Sequence, residues 1–184
     1  MVDTIPRPHM TVEEFEQITE DGKFDLVDGE VWYVSPTQIN HGDTTPDVSY
    51  FLSDHVRREK LGKIYSGELG FRLHPGLRTV LCPDVAFVRS ARVPPKGTTG
   101  FFQGPPDLAV EVISPSESNA NVLTKVGKYL DHGTQAVWCV YPERQLIIVH
   151  ASDEPSLVLH IGDTLTGGSV LPEFSLPLAT LFEE

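Results

Sequence analysis

Two short apolar runs, each interrupted by one carboxylate, constrain this chain more than any other feature of its sequence. The first reads Cys82-Pro83-Asp84-Val85-Ala86-Phe87-Val88 and the second Asp107-Leu108-Ala109-Val110-Glu111-Val112-Ile113. Apolar runs of this length, rich in β-branched and aromatic residues, predict buried strands. An acid inside such a strand loses its hydration, and its charge survives only if it is paired, hydrogen-bonded or bound to a metal. The fold must therefore bring compensation to Asp84 and Glu111. Beyond the second run, Ser114-Pro115-Ser116 leads into a helical pattern that carries Lys125. Two acids followed by a lysine point to a metal-assisted hydrolytic site.

The rest of the chain supplies elements to surround that stretch. Thr11-Val12-Glu13-Glu14 has the spacing of a capping box and predicts a short helix to about Thr19, ended by Asp21-Gly22. Phe24 to Val27 and Glu30 to Val34 flank Asp28-Gly29, a two-residue hairpin signal. Val48, Phe51, Leu52, His55 and Val56 share one helical face, which predicts a helix over about 45–60 with Pro46 in its first turn and Gly62 as its stop. Strands are expected at Lys63–Glu68, Gly70–His74 and Thr79–Val88. Residues 89–106, rich in Gly and Pro, predict a long loop in which Phe101-Phe102 either anchors to the body or meets a partner. A helix over about Ser116–Asp131 follows, stopped by Gly133, and then a hairpin of Ala136–Val140 and Gln145–His150. From Leu157 onward the pattern is short strands and turns. No repeat and no internal boundary is visible, so residues 1–184 read as one domain of α/β or α+β class, a mixed sheet carrying helices.

Composition narrows the partners. Fourteen basic residues against 26 acidic ones give a formal net charge of −12, which argues against nucleic acid because phosphate contacts supply most non-specific affinity. Local potential matters more than the total, and a bound divalent cation offsets negative charge at its own site. No apolar run is long enough to span a membrane. The N-terminus lacks the charged and apolar regions of a signal peptide, and Cys82 and Cys139 read as reduced core thiols; both point to the cytosol.

The ordered set of motifs resembles the Uma2 family, placed among the PD-(D/E)xK nuclease-like proteins. The resemblance rests on Met10–Phe15, on the hairpin Phe24-Asp25-Leu26-Val27-Asp28-Gly29-Glu30, on Ser35-Pro36 followed by His41, and on Pro83-Asp84-Val85. It continues through Pro106–Ser116, Lys125-Val126-Gly127-Lys128-Tyr129 and Trp138-Cys139-Val140. It implies a sheet of the restriction-endonuclease kind and a site dependent on Mg²⁺ (or Mn²⁺), built from Asp84, Glu111 and a lysine. The lysine of the simplest pattern would stand at Ile113; the family takes it from the following helix, where Lys125 sits. Asp25, Asn121 and Tyr141 depart from the family's usual Glu, Asp and Asp, and the basic residues usual around 118–122 are absent.

In that reading Asp84, Glu111 and the Val112 carbonyl are the oxygen ligands that a hard cation prefers. Lys125 orients the attacking water or neutralises the developing oxyanion. His41 and Glu30 are possible additions, as ligand or base, against the simpler readings of a cap and a solvent-facing edge residue. The same residues also fit a purely structural account, in which Asp84 caps a turn after Pro83 and Glu111 pairs with Lys125. Ser116 reads as a helix cap, and Tyr129 as packing on the lysine stem four residues before it. The function expected first is a metal-dependent nuclease, with nucleic acid as partner and a homodimer as its state. The alternatives are a non-catalytic scaffold and a hydrolase of small phosphoesters.

Overall fold

The structure is a computed structural model that describes residues 9–18, 22–34, 39–67, 69–152 and 154–182. The capping box forms at Thr11, whose hydroxyl accepts from the Glu14 amide at 3.2 Å while the Glu14 carboxylate accepts from the Thr11 amide at 2.8 Å. The helix it opens, α1 (Val12–Phe15), is a single turn and ends well before Thr19, where the sequence pattern placed its stop. So short a helix does not hold itself together and persists by burying Val12 and Phe15. The hairpin of β1 (Lys23–Val27) and β2 (Glu30–Val34) turns at Asp28 and Gly29, with φ of +51° and +90°. That left-handed pair matches the twist of the strands it joins.

Helix α2 (Ile39–Arg58) starts earlier than the pattern indicated, so Pro46 lies in its interior rather than its first turn. The apolar face of Val48, Leu52 and Val56 holds the helix to the sheet beyond the proline. Strands β3 (Gly62–Ser66) and β4 (Phe71–Arg72) follow. The single strand expected over Thr79–Val88 is two, β5 (Val80–Leu81) and β6 (Val85–Arg89), which belong to different sheets. The break falls at Cys82-Pro83-Asp84, where proline has no amide to give a ladder. Inside the loop over 89–106, β7 (Phe102–Gln103) pairs with β4, and Phe101 packs on Phe15 with ring centroids 5.7 Å apart; the two phenylalanines anchor the loop.

After β8 (Leu108–Val112), helix α3 (Asn119–Asp131) begins later than Ser116. A turn closed by the Glu117 amide on the Ser114 carbonyl intervenes, so the cap is Ser118, whose hydroxyl accepts from the Asn121 amide at 3.1 Å. Strands β9 (Ala136–Tyr141) and β10 (Leu146–Ala151) form the expected hairpin. Then come β11 (Glu154–His160), β12 (Thr164–Thr166), β13 (Ser175–Pro177) and α4 (Leu178–Phe182), the last not signalled by the sequence pattern. No helix among the described residues is long and apolar enough to cross a membrane.

A six-stranded mixed sheet runs β11-β10-β9-β8-β6-β3, with β8 and β9 parallel and joined through α3. A second sheet runs β2-β1-β5-β4-β7. Side chains alternate across the larger sheet. Val85, Phe87, Val110, Val112, Trp138 and Val140 point to the α2 side. Ala86, Val88, Ala109, Val137 and Cys139 point the other way, into a core shared with α3 and the second sheet. Asp84 and Glu111 fall, by the same alternation, on that second face.

Candidate functional site

Antiparallel pairing of Val85 with Val110, extended by one residue, sets Asp84 opposite Glu111 at one end of β6 and β8. Both carboxylates rise from the same face of the sheet toward α3 and the hairpin. Lys125 reaches them from the middle of α3, its Nζ 2.6 Å from Glu111 Oε2. The structure thus brings together Asp84, Glu111 and Lys125, and it buries all three. Tyr129, one turn further along, does more than pack on the lysine stem: its hydroxyl donates to Glu111 Oε1 at 2.9 Å. The buried hydroxyl thereby finds an acceptor, and the carboxylate is shared between Tyr129 on one oxygen and Lys125 on the other.

The hairpin adds two residues that the sequence reading did not assign to the site. Asp25 is 1% exposed; its Oδ2 lies 3.1 Å from Lys125 Nζ and its Oδ1 accepts the Cys82 amide at 2.7 Å. Lys23 Nζ lies 2.7 Å from Asp84 Oδ1, and the other oxygen of Asp84 accepts the Val112 amide at 2.7 Å. The signal for both was present in the alternation of Lys23-Phe24-Asp25-Leu26-Val27. Phe24 and Leu26 take the face toward α1, so Lys23 and Asp25 must face the core with Val27. The expected Glu111–Lys125 pair exists, but as part of a set of three carboxylates and two ammonium groups. The remaining candidates lie elsewhere. Glu30 is exposed at the turn end of the hairpin. His41 lies in the first turn of α2, and its side chain falls outside the described residues.

Burial pushes the Glu111 carboxyl up to about 7, against the pull of Lys125 and Lys23. Burial works against the charge of Lys125 as well, but Asp25, Glu111 and Glu117 outweigh it and hold the ammonium well above its ordinary range. Lys23 is raised too: burial opposes its charge, and Asp84 with Glu111 overcomes that. Glu117, half-buried beside the cluster, is raised by burial and takes no hydrogen bond on its carboxylate among the described residues. Burial also raises both thiols, Cys139 to about 12, so neither is a ready nucleophile.

The donor set suits a hard divalent cation: carboxylate oxygens from Asp84 and Glu111, and the Val112 carbonyl, which leaves the strand on the same side as the amide bound to Asp84. No group of three or more His, Cys, Asp or Glu side chains among the described residues is placed to hold one ion. An ion here would take two carboxylates and a backbone oxygen, with water in the remaining positions, a set that Mg²⁺ accepts.

The fold is of the mixed α+β class, two sheets with helices packed on them. The family described as "Putative restriction endonuclease", Uma2, matches residues 12–179, and the chain belongs to it. No curated protein matches the chain. Among solved structures it is similar to one from Anabaena variabilis ATCC 29413, a "putative nuclease belonging to DUF820" at 1.96 Å. The TM-score is 0.82 over 94% of this chain and 97% of the other, at 20% identity, a likeness of fold.

Proposed function

We propose that the protein is a metal-dependent nuclease that hydrolyses phosphodiester bonds in nucleic acid. The observation that carries this reading is the convergence of Asp84, Glu111 and Lys125 on one end of one sheet face, from three different elements. Asp84, Glu111 and the Val112 carbonyl would hold Mg²⁺ or Mn²⁺. A bound divalent ion supplies charge stabilisation at the phosphoryl oxygens and an acidified water. Lys125 keeps its positive charge throughout the working range and donates toward the oxyanion that develops. Asp25 and Glu111 fix the lysine between them, and Tyr129 fixes the rotamer of Glu111. Lys23 neutralises Asp84 and would offer a second cation to a phosphate bound at that carboxylate. A single centre cuts one strand at a time, so the reading includes a homodimer for duplex cleavage. The two sheets sharing one core support a single domain.

One observation favours a scaffold without catalysis. Both oxygens of Asp84 and both of Glu111 accept from the chain's own donors, so the cluster is satisfied as it stands. Calorimetric titration of Mg²⁺ and Mn²⁺ separates the two readings. The nuclease requires binding that Asp84→Ala with Glu111→Ala abolishes, and metal-dependent cleavage in a screen of DNA, RNA and small phosphoesters. Absence of both binding and cleavage at millimolar metal would leave the scaffold.

A further inference from the structure

A cleft of about 150 Å³ opens beside the acid cluster, past the carboxyl ends of the parallel strands β8 and β9. In open sheets with parallel strands, ligands seat in such crevices. Its walls come from Ile113, Pro115, Glu117, Asn119, Tyr141 and Arg144. Ile113 donates its amide to Val140, so Ile113 and Tyr141 stand side by side on the face that carries Glu111. Strand spacing and rise put the Tyr141 α-carbon about 8 Å from that of Glu111. The Glu117 carboxylate sits between cleft and cluster, sensing Lys125, Asp25, Asp84 and Lys23.

The lining is chemically mixed in a particular way. Arg144 is exposed at the rim of the cleft and, like Arg57, Lys63 and Lys96, makes no ion pair among the described residues, so its donors are free for a ligand. Among the described residues no donor reaches the Glu117 carboxylate, and Tyr141 is half-buried with apolar neighbours. An unpaired guanidinium, an unpaired carboxylate and an aromatic ring around one slot suit a flat, neutral ligand with both donors and acceptors on its edge. They do not suit a phosphate, which the two acids Glu117 and Glu143 in the lining would repel.

We propose that this cleft reads an unpaired guanine base next to the bond that is cut. Arg144 donates its fork to O6 and N7, the most common specific contact to guanine. Glu117 accepts from N1–H and the exocyclic amine, and the base stacks on Tyr141. Adenine presents a donor where guanine presents O6, so Arg144 rejects it. The inference rests on the nuclease reading for its meaning but not for its test.

The test uses nucleosides, which carry no phosphate. Titration of the wild-type chain with guanosine, adenosine, cytidine and uridine should show guanosine binding at least about tenfold tighter than the others. Arg144→Ala and Tyr141→Leu should each weaken guanosine by about tenfold, Tyr141→Phe should retain it, and all three should leave divalent-ion binding unchanged. Equal binding of the four nucleosides, no guanosine binding up to its solubility limit, or no loss in Arg144→Ala overturns the proposal. Guanosine selectivity in a chain that cleaves nothing would sink the nuclease and keep the cleft. Cleavage without base preference, unaltered in Arg144→Ala, would do the reverse.

Discussion

The two faces of the six-stranded sheet are built from alternate residues of the same strands and hold opposite chemistry. Toward α2 the strands present Val85, Phe87, Val110, Val112, Trp138 and Val140, closed over by Val48, Leu52, Val56 and Phe174. The buried imidazole on that side, His55, settles its need with the Pro172 carbonyl at 2.9 Å. Toward α3 the neighbouring positions carry Asp84 and Glu111, met by Asp25, Lys23 and Lys125. Burial of hydrocarbon is favourable in proportion to area, whereas taking ions from water is costly and their mutual attraction about offsets it. One face therefore supplies stability, and the other uses part of it to hold charges apart from solvent, where they act most strongly on one another.

The largest effect should come from the dry face. Trp138→Ala empties a site that is 2% exposed and should cost about 3–5 kcal/mol in urea unfolding. Divalent-ion affinity of the folded fraction should not change. A loss below about 1 kcal/mol would break the comparison, because the aromatic would then carry none of the expected cavity penalty.

Next comes Lys125→Met, which leaves Asp25 and Glu111 buried without their shared cation. Breaking such a pair costs about 3–5 kcal/mol. The low end applies here, since Glu111 escapes by taking up a proton. The loss should accordingly be larger at pH 8 than at pH 6; a pH-independent loss would mean that the carboxylate stays charged throughout.

A third test isolates Glu111 itself. Its carboxyl is raised to about 7 in the fold from an ordinary value of 4.5, so the folded state binds more protons within that window. The contribution of this group to stability is fully present below pH 4.5 and is lost as pH rises through about 7. Glu111→Gln should remove that slope from melting curves recorded between pH 5 and 8. Metal binding must expel the same proton, so wild-type affinity for Mg²⁺ or Mn²⁺ should climb from pH 6 to 8. Flat affinity over that range would place the ligand elsewhere.

The smallest effect sharpens the contrast from outside both faces. Arg58 pairs with Asp54 at 2.8 Å on α2, with both side chains more than half exposed. Solvent and salt screen such a pair, so Arg58→Ala should leave the urea midpoint within experimental scatter. A clear shift would show that exposed pairs on this acidic chain count for more than their geometry suggests.

Local chemistry explains what was readable in advance. The hairpin at Asp28-Gly29 was legible because its turn demands positive φ at both residues. The strands around Glu111 and Trp138 were legible as apolar runs, and the capping box at Thr11 as a spacing. Less legible were the limits of elements whose ends are decided by distant partners. The chain leaves one sheet at Leu81 and joins the other at Val85 across Pro83, and distant partners hold the crossing, Asp25 taking the Cys82 amide and Asp84 that of Val112. Neither partner is near in sequence. The start of α3 moved to Asn119 because Pro115 spends three residues on a turn before Ser118 caps the helix.

The sequence by itself determined that two acids would be buried beside apolar strand residues and that a lysine would follow on a helix; Glu111 lies within its strand, and Asp84 stands just before one. The costs of desolvation are properties of single residues in their local pattern, and they are fixed before any fold is known. Only the tertiary structure decided that Asp84 stands opposite Glu111, that Lys125 is shared with Asp25, and that Lys23 reaches Asp84 across two sheets. Those pairings depend on register and on how the hairpin docks, and register is set by the whole buried face rather than by any residue within it.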